Sequence, residues 1–163
     1  MQGPDELYTL LNQLGIAYEY AEHPAAPTIA IAKQFWVGTN SKHCKNLFFR
    51  NHKGNQHYLV LLDCDCDMNI HAIEKQLHQG KLSFASPERM MKYLGVTPGS
   101  VTPFGLINDK EHHVHVFLDK NLQRYEKISF HPCVNTASIA IARTDLIKFL
   151  DHMGNPYEWM KVY

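Results

Sequence analysis

The chain has 163 residues, 45% hydrophobic and 20% charged, which suits a folded domain with a buried core. Its 16 Lys+Arg and 16 Asp+Glu balance to a net charge of zero, which argues against coating nucleic acid by bulk charge but leaves room for a local basic patch. No apolar run approaches the roughly 20 residues of a membrane span, Met1–Glu6 lacks the basic and apolar parts of a secretory leader, and Cys44, Cys64, Cys66 and Cys133 do not make a disulfide framework, so a reducing cytoplasm is the expected location.

Pro4 to Leu14 predicts a helix, with Pro4 at its first position, Asp5 and Glu6 at its positive end, and Leu7, Leu10, Leu11 and Leu14 in one stripe. Gly15 suits its end. Ala17–Ala21 predicts a strand that stops at His23-Pro24. Thr28 can cap a second helix through Phe35, with Ile29, Ala32 and Trp36 on one side. Cys44–Arg50 and Gln56–Leu62 predict a hairpin around Asn51–Asn55. Asn69–Gln79 predicts a third helix, and Ser86-Pro87-Glu88 opens a fourth that ends at Gly95. The apolar run Phe104–Ile107 reads as a strand, as do His113–Leu118, Tyr125–Phe130 and Thr136–Ile141. Thr144–His152 predicts the last helix, followed by Gly154. No repeat or linker divides the chain, so one domain over residues 1–163 is expected. Strands and helices mix without a strict βαβ rhythm. The expected fold is α+β, a mixed, mostly antiparallel sheet flanked by helices.

Gly99-Ser100-Val101-Thr102-Pro103 lacks bulky side chains and is bracketed by Pro98 and Pro103. Proline fixes its own φ and biases its predecessor to extended geometry, so the loop should hold one shape. Such a loop can present bare N–H groups to an anion or oxyanion; it can equally be a plain tight turn. A nucleotide phosphate loop is excluded, since no Lys-Ser/Thr follows a glycine pair. Lys45 and Asn46 open the apolar stretch Leu47-Phe48-Phe49, so Lys45 either faces a polar cleft or keeps its ammonium in water at a strand end. His131, at a strand end before Pro132, either lines a cleft or is an exposed turn residue. Lys33, Lys42, His43, Lys45, Arg50, His52 and Lys53 form a basic concentration suited to a phosphate backbone or an ordinary solvated face. Cys64 and Cys66, interleaved with Asp63, Asp65 and Asp67, fit neither zinc nor calcium spacing and read as a solvated loop; no metal site is expected. His113 and His115 would share a strand face. No Ser-His-Asp or Cys-His nucleophile pattern is present.

Taken together, these pieces resemble the YbaK/ProX-type aminoacyl-tRNA deacylases, free-standing relatives of the editing domain of bacterial prolyl-tRNA synthetase. The resemblance runs through Glu22-His23-Pro24, Thr28, Lys45-Asn46-Leu47-Phe48, Leu82–Ser86, Leu94–Pro103, Leu106–Asp109, Phe130-His131-Pro132 and Asn135-Thr136-Ala137. Lys-Asn followed by Leu-Phe, together with Phe-His-Pro, is most similar to the subgroup that clears alanine from mischarged proline tRNA. The resemblance implies a metal-free, cofactor-free hydrolase acting in trans on Ala-tRNA(Pro), with prolyl-tRNA synthetase as a possible associate. It implies Lys45 and the loop Gly99, Ser100, Val101, Thr102 and Pro103 as the catalytic set. Asn46, Thr28, His131 and Lys42 are implied on the substrate side.

Overall fold

The structure is a computed structural model and describes residues 1–25 and 41–162. The predicted helix over 28–35, and with it Thr28 and Lys33, lies outside the described residues. Helix α1 spans Asp5–Gln13, with Pro4 one place earlier than expected, at the cap, and buries Leu7, Tyr8 and Leu11. Strand β1 (Tyr18–Glu22) follows. The hairpin of β2 (Lys42–Arg50) and β3 (His57–Asp63) turns on one side chain: Asn51 Oδ1 accepts from Asn55 N at 3.0 Å and Gln56 N at 3.1 Å. Next come α2 (Ile70–Leu77), the two-residue β4 (Ser83–Phe84) and α3 (Pro87–Leu94). Ser86 caps α3 by accepting from Arg89 N, as its position before Pro87 predicts.

The run expected as a strand over 104–107 is instead a 3-10 helix, Pro103–Asn108. Its start is fixed locally. Thr102 Oγ1 accepts from Phe104 N at 3.3 Å, and Pro103 supplies a helical φ at the first position. An all-apolar run of this length cannot be told apart as strand or helix by periodicity, and here the cap decides. Gly105 packs so close beneath α3 that an added Cβ would lie 2.7 Å from Leu94 O. Asn108 Nδ2 donates to that same carbonyl at 3.0 Å.

Strand β5 (His115–Asp119), a second 3-10 helix (Lys120–Arg124), β6 (Lys127–Phe130) and β7 (Ala137–Ala142) follow, then α4 (Arg143–Met153) and β8 (Tyr157–Met160). Neither β4 nor β8 was legible in the pattern. His113 precedes β5, so it does not share a strand face with His115.

Among the described residues the sheet has eight strands in the order β1-β7-β6-β2-β3-β5-β8, with β4 added to β2. Four pairings are antiparallel (β1·β7, β2·β3, β2·β4, β6·β7) and three parallel (β2·β6, β3·β5, β5·β8). Each face carries its own apolar cluster. One gathers Phe48, Leu59, Leu61, Val101, Phe104, Phe130 and Phe149; the other gathers Phe49, Val60, Leu62, Ile73 and Phe117. Strand β3, buried along its whole length, lies between them. No helix among the described residues is long and apolar enough to cross a membrane.

Candidate active site

Strand β2 has one complete edge and one broken edge. Against β3 it is paired from Cys44 to Arg50. On the other side it is paired with β6 only at Lys42 and His43, in parallel, and with β4 only at Phe49 and Arg50, antiparallel. Phe48 O accepts from Ala85 N at 2.9 Å. From Cys44 to Leu47 no strand among the described residues covers that edge. The sheet therefore opens as a slit, and Lys45-Asn46 lies along it.

The far wall of the slit comes from β6. Its register places Ile128 beside Lys42 and Ser129 beside His43. Counted on, His131 comes level with Lys45, just where the two strands part. The loop 99–102 lies against the turn that follows His131, since a Cβ built on Gly99 would be 3.6 Å from Asn135 Nδ2. The register thus brings His131 level with Lys45, and the small-residue loop lies beside the turn that follows His131.

The loop is rigid for identifiable reasons. Gly95 ends α3 at φ +64° and Gly99 turns the chain at φ +90°. Ser100 N–H donates to Thr97 O at 3.0 Å, and Thr102 caps the 3-10 helix. Ser100, Val101, Thr102 and Pro103 are all buried. Pro103 has no N–H, and that of Ser100 is engaged. The N–H groups of Gly99, Val101 and Thr102 have no acceptor among the described residues. Gly99 is exposed, but Val101 and Thr102 are buried, and a buried backbone donor left unpaired costs on the order of 1–3 kcal/mol. On β2, Asn46 Oδ1 is buried with no hydrogen-bond partner. Among the described residues the N–H groups of Val101 and Thr102 and the Asn46 Oδ1 atom thus have no hydrogen-bond partner.

Alternation along β2 gives Lys45 and Asn46 opposite faces. Asn46 sides with Cys44 and Phe48, toward the cluster that holds Val101 and Phe104; Lys45 sides with Leu47 and Phe49. The Lys45 ammonium donates to Cys66 O at 3.3 Å and stands 3.9 Å from Asp67 Oδ1. The Asp67 carboxylate is fully exposed, so the ammonium is held lightly. Lys42 differs. Its ammonium is 3.2 Å from Asp63 Oδ1, also bonds Asp65, and lies 5.2 Å from the centre of the Tyr125 ring. Those carboxylates push its pKa up against the opposing effect of burial. Lys42 therefore serves as the counter-ion of the 63–65 turn.

That turn corrects the sequence reading of a solvated loop. Asp65 and Asp67 are exposed, but Asp63 and Cys64 are buried. Asp63 Oδ2 accepts from the Tyr125 hydroxyl at 3.0 Å, and Asp63 N–H donates to the buried Asp119 carboxylate at 3.1 Å. Ligand atoms of Asp63, Cys64 and Asp65 lie within 4.8 Å of one another, with the Lys42 ammonium bonded to both carboxylates. The single ammonium of Lys42 offsets one of the two carboxylate charges.

His131 has company that the sequence did not announce. Its Nδ1 lies 2.8 Å from Ala137 O, so Nδ1 carries the proton, and Nε2 of the neutral ring has no hydrogen-bond partner among the described residues. Burial lowers its pKa; the Ala137 hydrogen bond raises it and His23 lowers it. The His23 ring centre is 5.8 Å away, and His23 Nε2 accepts from the Ser138 hydroxyl at 2.8 Å. Burial lowers His43 to about 3, with His131, His23 and Lys42 adding to the shift. His43 sits two residues before Lys45 on the same strand face; that spacing was its only signal, and nothing marked it as buried. Cys133, in the turn after His131, is a non-glycine residue at φ +64°. Burial pushes its thiol up to about 12, and Cys44 is also raised by burial. Neither sulfur has the thiolate character of a nucleophile.

Residues 23–149 match the family of the aminoacyl-tRNA editing domain. The chain is 35% identical over 158 residues to the prolyl-tRNA editing protein ProX of Acetoanaerobium sticklandii, covering 97% of this chain and 96% of that one. It is 32% identical over 154 residues to the prolyl-tRNA synthetase associated domain-containing protein 1 of Mus musculus, covering 92% and 90%. In fold it is similar to a solved candidate trans-editing enzyme for prolyl-tRNA synthetase, with TM-score 0.70 at 20% identity and coverage of 98% and 99%. The chain belongs to the aminoacyl-tRNA editing domain family.

Proposed function

We propose that this chain is a single-domain trans-editing hydrolase of the cytoplasm that removes alanine from mischarged tRNA(Pro). The observation that carries the reading is the pairing of two unfilled surfaces across the slit: the open N–H groups of Gly99, Val101 and Thr102, and the open acceptor Asn46 Oδ1. An aminoacyl ester presents the complement, a carbonyl oxygen that becomes negative during attack and an α-ammonium that needs an acceptor. The relation to ProX supports tRNA, and prolyl-tRNA synthetase as a possible associate.

The ester is already activated, so catalysis needs placement of water and donors for the oxyanion. The loop N–H groups receive the carbonyl oxygen. Water adds to the carbonyl carbon, the bond to the ribose oxygen breaks, that oxygen takes a proton, and alanine leaves as the free acid. The vicinal hydroxyl of the terminal ribose positions the water, so no protein nucleophile is used. The Lys45 ammonium leaves Cys66 O and anchors the terminal nucleotide. Asn46 and the open Nε2 of His131 orient the amino acid. Proline is excluded by size, whereas serine adds only a hydroxyl and is rejected weakly, by about 100-fold in comparable apolar pockets.

The test is hydrolysis of Ala-tRNA(Pro) by wild type and Lys45→Ala. A loss of at least 100-fold in kcat/KM is expected; near-normal turnover would remove Lys45 from the site.

A further inference from the structure

Among the described residues three large hydrophobic side chains are exposed: Met1, Met91 and Phe84, which is 65% exposed. Phe84 stands out as the one aromatic ring among them. It lies directly opposite Phe49 in the β2·β4 pair, and the two rings stack with centres 4.7 Å apart and planes at 28°. Opposite residues of an antiparallel pair share a face, and alternation gives that same face to Lys45, Leu47 and Phe49. Strand β4 is also the element that closes the slit at its far end. The Lys45 face of the slit therefore runs from a lightly held ammonium, past half-buried Leu47, to an aromatic ring backed by another ring and open on its outer side.

The length of this shelf has a meaning. Four steps along the strand take Lys45 to Phe49, about 13 Å. Stacked nucleic acid rises about 3.4 Å per base along a strand, so three or four unpaired nucleotides fit that span. Exposed Lys81, three residues before Phe84, adds a cation suited to a phosphate backbone. An aromatic face beside cations is how single-stranded RNA is held without base-specific hydrogen bonds.

We propose that Phe84 is a stacking platform for a base of the unpaired 3′ end of the tRNA, a subsite outside the ester pocket that sets the path of the strand into it. The proposal rests on the deacylase reading for its ligand. A second copy of the chain is a poorer occupant. A stable dimer needs about 800 Å² from each partner, far more than one ring offers, and a two-residue edge strand gives little to pair with.

The experiment has two arms. In the first, 5′-fluorescein-labelled ACCA oligoribonucleotide, unacylated, is titrated into wild type, Phe84→Ala, Phe84→Leu and Phe84→Trp and followed by anisotropy. Binding is expected to weaken at least fivefold in Phe84→Ala and Phe84→Leu and to be retained in Phe84→Trp. Equal binding by Phe84→Leu and wild type would overturn the platform, because leucine covers Phe49 without a π face. In the second, Phe84→Ala is expected to raise KM for Ala-tRNA(Pro) at least fivefold at unchanged kcat, and to leave hydrolysis of 2′(3′)-O-alanyl-adenosine, which keeps the ribose hydroxyl but lacks the strand, unchanged. An equal loss on both substrates would mean a damaged pocket and would overturn the proposal. If wild type binds ACCA through Phe84 but hydrolyses no aminoacyl-tRNA, the deacylase reading fails and the platform stands. Light scattering completes the set, since a wild-type dimer that Phe84→Ala splits would give this surface to a second copy.

Discussion

Gly99 and Gly95 sit four residues apart, both at positive φ, yet substitution of each by alanine should fail in different ways. At Gly95 (φ +64°) an added Cβ would overlap the Asn108 side chain, whose amide donates to Leu94 O. The damage falls on the junction between α3 and the 3-10 helix. At Gly99 (φ +90°) the nearest atom to an added Cβ is Asn135 Nδ2, at an ordinary 3.6 Å. There is room for the methyl group, and the cost is backbone strain of about 1–2 kcal/mol, relieved by the loop turning away. Turning moves the N–H groups of Gly99, Val101 and Thr102, and loss of one oxyanion donor costs about 100- to 1,000-fold in kcat. Gly95→Ala should therefore lower Tm and spare the kcat of the folded fraction. Gly99→Ala should lower Tm by only a few degrees and drop kcat by at least 100-fold, with KM within about threefold. Thermal unfolding and single-turnover hydrolysis of Ala-tRNA(Pro) measure both. A Gly99→Ala enzyme with wild-type kcat would refute the donor-loop reasoning outright.

Two further outcomes follow from the buried polar groups. Asn46→Leu removes an unpartnered buried acceptor while keeping the branched heavy-atom shape, so it should raise stability by about 1 kcal/mol, or about 2–4 °C in Tm, while cutting activity at least tenfold. A stability loss would mean that Asn46 serves the fold. His57 is fully buried, its Nε2 accepts from Arg89 Nη1 at 2.9 Å, and its Nδ1–H faces His113 Nε2 at 2.8 Å. Burial, with His113, Arg89 and other nearby cations adding to it, lowers its pKa to about 4. Between an unfolded value near 6.5 and about 4 the unfolded chain binds a proton that the folded chain refuses, so stability is lost as the pH drops through this window, by up to about 3 kcal/mol from this residue. Urea unfolding at pH 7 and pH 4.5 should show it, and His57→Phe should flatten the dependence. An unchanged slope would assign the acid sensitivity elsewhere.

The legible parts of the chain were those governed by local chemistry. Ser86-Pro87 and Gly95 announced both ends of α3, and Asn51–Asn55 announced the hairpin, because caps and turns are written in the residues that make them. Phe104–Ile107 misled because its conformation is set by the Thr102 cap and by the close packing of Gly105 on Leu94. β4 and β8 are short and acquire strand character only from their neighbours β2 and β5. The site divided in the same way. The rigidity of the 99–103 loop was readable from its prolines. The slit that brings Lys45-Asn46 level with His131 comes from the parting of β2 and β6, a property of the sheet that no local pattern carries. The commitment of Lys42 to Asp63 and Asp65 depends likewise on strands distant in sequence.

The most direct measurement is deacylation of tRNA(Pro) charged in turn with alanine, serine, cysteine and proline, with and without chelator. The account predicts fast release of alanine, weaker release of serine, sparing of proline, and no effect of chelator. Proline released as fast as alanine would contradict exclusion by size, and activity lost to chelator would contradict a site built from the donor loop and Lys45 alone.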